Sequence, residues 1–161
     1  MGIVFLDATQ KVVHKPDDEE IHWRASAYAL VRNDAGEVLM VKPSWHDKWE
    51  LPGGGVEVEE TLSQAIVREC MEETGYRVTI TSVTPIHVGE QFFKGVRVDK
   101  FFHSIYVVYA GELIDSYQDV SAMNPDGFEE IKEVGWVSPD DIDEKNCHPI
   151  HLPVLHMLRN K

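Results

Sequence analysis

A chain of 161 residues with 43% hydrophobic and 27% charged content is long enough to bury a core and ordinary for a water-soluble fold. Its 28 acidic against 15 basic residues leave a net charge of −13, which repels nucleic acid and anionic lipid. No apolar run approaches membrane-spanning length, and two cysteines, Cys70 and Cys147, make neither a disulfide framework nor a metal-ligand pattern. These bounds predict a cytoplasmic protein with reduced thiols and with no nucleic-acid or membrane partner.

In chain order, KPDDEE (15–20) is a charged break. It divides the chain into a short N-terminal strand or extension, residues 1–20, and a main domain, residues 21–161. RASAYALVR (24–32) and EVLMVK (37–42) flank NDAG, whose residues favour a tight hairpin turn. Trp49 opens a strand leading into the glycine-rich LPGGG, and a helix is predicted from about 61 to 74. Thr61 and Gln64 stand at capping-box spacing, and Gly75 marks the stop. YRVTITSVT (76–84), FFHSIYVVYA (101–110) and EIKEVGWV (130–137) read as strands. Ser138-Pro139 followed by acids signals a helix start, and HLPVLHMLRN a closing helix. Strands and helices in this order predict an α/β fold with a mixed sheet and helices on its faces.

The predicted helix carries a contradiction. Leu62 and Ile66 mark a core-facing side, yet Glu69 and Glu73 fall on that same side. Glu69 with Glu72, and Glu69 with Glu73, are like-charge pairs at i,i+3 and i,i+4, which destabilise a helix by roughly 0.2–0.5 kcal/mol each. Desolvation adds to that cost. A bound divalent cation reverses both penalties, and hard oxygen ligands on consecutive turns suit Mg²⁺. Arg68 could hold a carboxylate through its planar fork. Upstream, Gly53, Gly54 and Gly55 read as a loop that allows a close backbone approach, although no GK[ST] follows to make a P-loop.

Gly54, Glu60, Arg68, Glu69, Glu72, Glu73 and Gly75, at their spacings, resemble the Nudix box of the Nudix hydrolase superfamily, in its MutT-like form. Cys70 and Tyr76 stand where relatives usually carry an aliphatic residue, and Glu59 where a glycine is common. WELPGGGVE, FHSIYVVYAGEL and EEIKEVGWVSPDDI resemble flanking family segments, so the resemblance spans most of residues 24–143. It implies an α/β/α sandwich around a mixed sheet. It also implies hydrolysis, with Mg²⁺ or Mn²⁺, of a nucleoside diphosphate linked to another group.

By that resemblance Glu69, Glu72 and Glu73 are metal ligands, with the Gly53 carbonyl a possible fourth, and Arg68 orients a glutamate. Glu69, Glu72, Arg68 and Glu130 form the expected catalytic set. Glu130 on a later loop is the candidate ligand or base, with Glu129 second and Glu69 the alternative base. Trp45, His46 and Phe92 are candidate substrate contacts through stacking. Trp49 reads as core, and His148, His151 and His156 lack a zinc-ligand spacing. The proline typical of ADP-ribose-cleaving members is missing, since Glu90-Gln91-Phe92 occupies that region. The tyrosine of dinucleoside polyphosphate hydrolases and the coenzyme A signature are missing too. The remaining expectation is a nucleoside triphosphate cut to monophosphate and pyrophosphate. The alternatives are an ADP-ribose or nucleotide-sugar pyrophosphatase and a non-catalytic nucleotide sensor. Dimers are common among relatives, so a homodimer is a further expectation of the resemblance.

Overall fold

The structure, a computed structural model, describes residues 2–159. Its organising strand is β3 (Ile21–Val31), whose second half is buried on both faces. Ala27, Ala29 and Val31 point into one core with Ile66 and Cys70, while Tyr28 and Leu30 point into another with Tyr106, Val108, Val154 and Leu155. A run of small and apolar residues with no polar alternation is what two covered faces require.

The strands before β3 are β1 (Phe5–Leu6) and β2 (Val12–Val13), and those after it are β4 (Val38–Pro43) and β5 (Gly53–Gly55). Helix α1 (Leu62–Thr74) precedes β6 (Tyr76–Ile80), β7 (His87–Lys94), the long β8 (Phe101–Gln118) and β9 (Ile131–Val137). Helix α2 (Leu152–Arg159) closes the described chain. The main sheet runs β2-β1-β7-β8-β3-β5, with β6 also paired to β8, and β4 and β9 form a second, two-stranded sheet. Parallel pairing of β3 with β8 and of β1 with β7 among antiparallel neighbours makes the main sheet mixed. With α1 and α2 packed on separate cores, the fold is α/β, as expected. No helix among the described residues is long and apolar enough to cross a membrane.

The predicted caps of α1 are in place. Thr61 and Gln64 form a reciprocal capping box, and Gly75 ends the helix in the left-handed conformation. Cys70 and Cys147 are buried and free, and burial pushes the Cys147 thiol up to about 12.

Three local expectations are corrected. The NDAG turn forms, with Gly36 N–H donating to the Asn33 carbonyl, but β3 and β4 do not continue as a hairpin. Only Arg32 and Val38 bridge before β4 leaves to pair with β9, because Val38 to Val41 are buried on both faces and must reach the interior. The helix expected at Ser138 is a single 3₁₀ turn, Pro139–Asp141, capped by the Ser138 hydroxyl. Burying Ile142 in extended conformation ends it. The glycine triplet is a short strand rather than a free loop, paired antiparallel with Ser26–Tyr28 of β3.

Candidate active site

Strand β5 explains why its glycines stand where they do. Gly53 has φ +144°, and a Cβ there would run into the Ala27 carbonyl and Tyr28. A Cβ on Gly54 would lie 2.8 Å from Glu69 Oε1, so the absence of a side chain is what lets the Glu69 carboxylate lie against the strand. The Gly53 N–H donates to Glu73 Oε2 at 2.8 Å. That bond ties the end of α1 to β5.

Arg68 joins the rest. Its Nε and Nη2 reach the two oxygens of Glu60 at 3.1 and 2.6 Å, and Nη2 also donates to the Gly55 carbonyl at 3.1 Å. Nη1 lies 2.9 Å from Glu69 Oε1 and 3.3 Å from Glu72 Oε2. One planar fork therefore spans three carboxylates and the glycine strand.

The core-facing side of α1 turns acidic where it leaves the hydrophobic core. Ile66 is fully buried, and Glu73 is still only 8% exposed. Burial, then the charge of Glu69, hold the Glu73 carboxyl well above the carboxylate range, against the pull of the Gly53 N–H. Burial raises Glu69 as well, with Arg68 opposing it and Glu72 adding to it. Both shifts disfavour the ionised form, so the surroundings supply less positive charge than these carboxylates would need. Their hard oxygen donors, at the mouth of a cavity, have the chemistry of a divalent-cation site.

Glu130 faces the same cavity from the loop before β9. The Asn124 N–H donates to the Glu72 carbonyl, and Asn124 Oδ1 accepts from the Glu130 N–H, so α1 anchors that loop directly. Burial raises the Glu130 carboxyl while Arg97, 3.5 Å away, lowers it. Glu129 is exposed and does not line the cavity.

The cavity encloses about 1090 Å³. Trp45, His46 and Phe92 line it, as do Glu50, Gln10 and His148, which the sequence reading did not select. Phe92 stacks on His103 and meets Phe5 edge-on. Trp49 packs against the core beneath Lys42.

His46, Glu50 and His148 bring ligand atoms within 4.8 Å of one another, a group that could hold a metal ion. His148 joins it from a distant part of the chain, and no spacing in the sequence announces that. His46 Nδ1 accepts from the Lys48 N–H at 3.1 Å, which places the ring proton on Nε2, 2.8 Å from Glu50 Oε1. As hydrogen-bonded here, His46 is a donor to Glu50. Gln10, from the turn between β1 and β2, bonds His148 Nε2 at 2.7 Å and closes this end.

The chain is similar to known proteins over most of its length. A sequence model of the NUDIX domain matches residues 22–158. A MutT-like protein of Streptomyces ambofaciens is 25% identical over 156 residues, covering 97% of this chain and 87% of the relative. The nucleoside triphosphatase NudI of Escherichia coli is 29% identical over 119 residues, covering 70% and 80%. Among solved structures, the MutT protein of Methanosarcina mazei aligns with a TM-score of 0.61 at 25% identity, over 88% of this chain and 96% of that one. The chain belongs to the NUDIX domain family and is a hydrolase acting on phosphoanhydrides.

Proposed function

We propose that the protein cleaves a nucleoside triphosphate to the monophosphate and pyrophosphate, in a reaction that needs Mg²⁺ or Mn²⁺. The observation that carries this reading is the convergence of half-buried Glu69 and Glu72 with buried Glu73 around the single cation Arg68, against a glycine strand at the cavity wall. Glu69, Glu72 and Glu73 hold the cation, which supplies Lewis acidity and offsets the charge of the phosphate oxygens. Arg68 keeps Glu69 and Glu72 from rotating away. Glu130 accepts the proton of the attacking water; burial lifts its carboxyl toward the operating pH, where a general base works better. A water oxygen–phosphorus bond forms as the bridging phosphorus–oxygen bond breaks, and pyrophosphate leaves. Trp45 and Phe92 offer the base a surface at the cavity wall. The names of the MutT-like and nucleoside triphosphatase relatives support this substrate class.

The test is product analysis by anion-exchange chromatography, with Mg²⁺ and a panel of nucleoside triphosphates, oxidised triphosphates, ADP-ribose and nucleotide sugars. Monophosphate plus pyrophosphate, lost in Glu73→Gln, is the expected result. Cleavage confined to the sugar-linked diphosphates overturns the substrate class, and no cleavage with either cation overturns the reaction.

A further inference from the structure

Four permanently charged cations line the cavity among the described residues: Arg24, Arg68, Lys94 and Arg97. Three are already paired. Arg68 holds Glu60, Glu69 and Glu72, Lys94 pairs with Asp99 at 2.8 Å, and Arg97 holds Asp126 at 2.5 Å and Glu130 at 3.5 Å. Arg24 differs. It makes no ion pair or side-chain hydrogen bond among the described residues, its charge reaching Glu130 only at longer range, and its contacts are aromatic faces, with Cζ 5.7 Å from the Phe102 ring centroid and 6.0 Å from that of Phe93. In a chain with 28 acidic residues, a guanidinium left without a carboxylate is informative.

Stacking uses the π face of the guanidinium and leaves its N–H edge free for oxygen ligands. The position of that edge is fixed by β5. Arg24 lies on β3, where Ala25 pairs with Ile105 and Ser26 with Gly55, and its Nη2 fills the space a Cβ on Gly55 would take. The carbonyl of the same Gly55 accepts from Arg68. Arg24 therefore lies on the Ser26 and Tyr28 face of β3, across β5 from Glu69, and lines the same cavity as the carboxylate trio without forming an ion pair with any acid among the described residues.

We propose that Arg24 is the phosphate-receiving group of the cavity, donating its free N–H edge to non-bridging oxygens of the substrate's phosphate chain. This rests on the hydrolytic reading above. It also solves a problem of that reading: an acid-lined cavity needs one fixed positive group to orient an anionic substrate, and the other three are committed. Phe93 and Phe102 hold the guanidinium in place before substrate arrives.

The experiment combines steady-state kinetics on the cleaved triphosphate with calorimetric binding of inorganic pyrophosphate in the presence of Mg²⁺. It uses Arg24→Gln, Arg24→Lys and Gly55→Ala, each checked for folding by circular dichroism. Arg24→Gln is expected to raise KM and weaken pyrophosphate binding in parallel by about 10–100-fold, with kcat little changed. Arg24→Lys recovers part of the loss, since charge returns without the fork. Gly55→Ala, which displaces Nη2, moves KM the same way. Unchanged KM and pyrophosphate affinity in folded Arg24→Gln overturns the proposal while leaving the hydrolase reading intact. If the wild-type protein cleaves nothing, yet loses pyrophosphate binding with Arg24→Gln, the anion subsite stands and the reaction falls.

Discussion

Two clusters of ionisable side chains share one cavity and are built on opposite electrostatic terms. Around α1, Glu73 is buried and Glu69 half-buried, and burial with repulsion from neighbouring carboxylates pushes both carboxyls up. Around His46, burial also acts to raise Glu50, but the His46 hydrogen bond and the nearby imidazoles outweigh it and leave the carboxyl low. Burial keeps His148 and His151 low as well, His151 down to about 3. In the second cluster a hydrogen bond settles Glu50, while His148 Nδ1 and both His151 ring nitrogens are buried without a partner among the described residues. In the first, Arg68 is the one cation among the described residues in contact with Glu69 and Glu72, and in the proposed function a divalent cation supplies the remaining compensation. Similar residues thus do different things according to whether the fold supplies a donor, and an excess of buried charge marks the place where chemistry is expected.

The largest expected effect comes from breaking the incomplete cluster. Glu73→Gln should lower kcat/KM by about 10²–10³-fold, the scale of several kcal/mol of charge stabilisation in the transition state. The same variant should raise the Tm of the metal-free protein. Because the folded-state carboxyl of Glu73 is raised, its contribution to stability is full below pH 4.5 and is lost as pH climbs through the raised value. The gain in Glu73→Gln should therefore be absent near pH 4.5, grow toward neutral pH and vanish in saturating Mg²⁺. A gain at every pH would mean that charge is not the cause.

Glu130→Gln should cost about 10²-fold in kcat with little change in cation affinity, as loss of a general base does. A matching loss of cation affinity would make Glu130 a ligand. In the settled cluster the sign of the pH effect reverses. His151 is fully buried and its ring nitrogens have no partner among the described residues, so the unfolded chain binds a proton that the folded one refuses. Its stability contribution is present above pH 6.5 and is lost toward pH 3, by about 1.4 kcal/mol per pH unit. His151→Phe should flatten that part of the wild-type curve, measured by denaturant melts. The smallest effect tests the scaffold that presents the trio. Thr61→Ala removes the α1 cap and should cost about 1 kcal/mol with activity per folded molecule unchanged.

The incomplete cluster was far more legible in the sequence than the settled one. Glu69 and Glu73 violate the apolar periodicity of their own helix, and the capping signals at Thr61 and Gly75 fix the helical phase that exposes the violation. Glu50 and His148 break no local rule. They meet only because Trp49 and Cys147 bridge as neighbouring strands do, a long-range pairing that single-sequence patterns do not encode. Strand β7 was hidden for a related reason: HVGEQFFK alternates poorly, because part of it packs aromatic rings against β8 and part faces the cavity. Arg24 could have been found from the period of β3, since it shares a face with Ser26 and Tyr28, but its lack of a partner is visible only in three dimensions.

The most direct test of this contrast is a calorimetric titration with Mn²⁺, without nucleotide, of the wild-type protein, Glu73→Gln and His148→Gln at pH 7. Wild type and His148→Gln should bind the ion with similar affinity and release protons to the buffer, and Glu73→Gln should bind at least about tenfold more weakly. Binding that survives Glu73→Gln and disappears in His148→Gln would place the cation at the histidine end of the cavity and contradict the account.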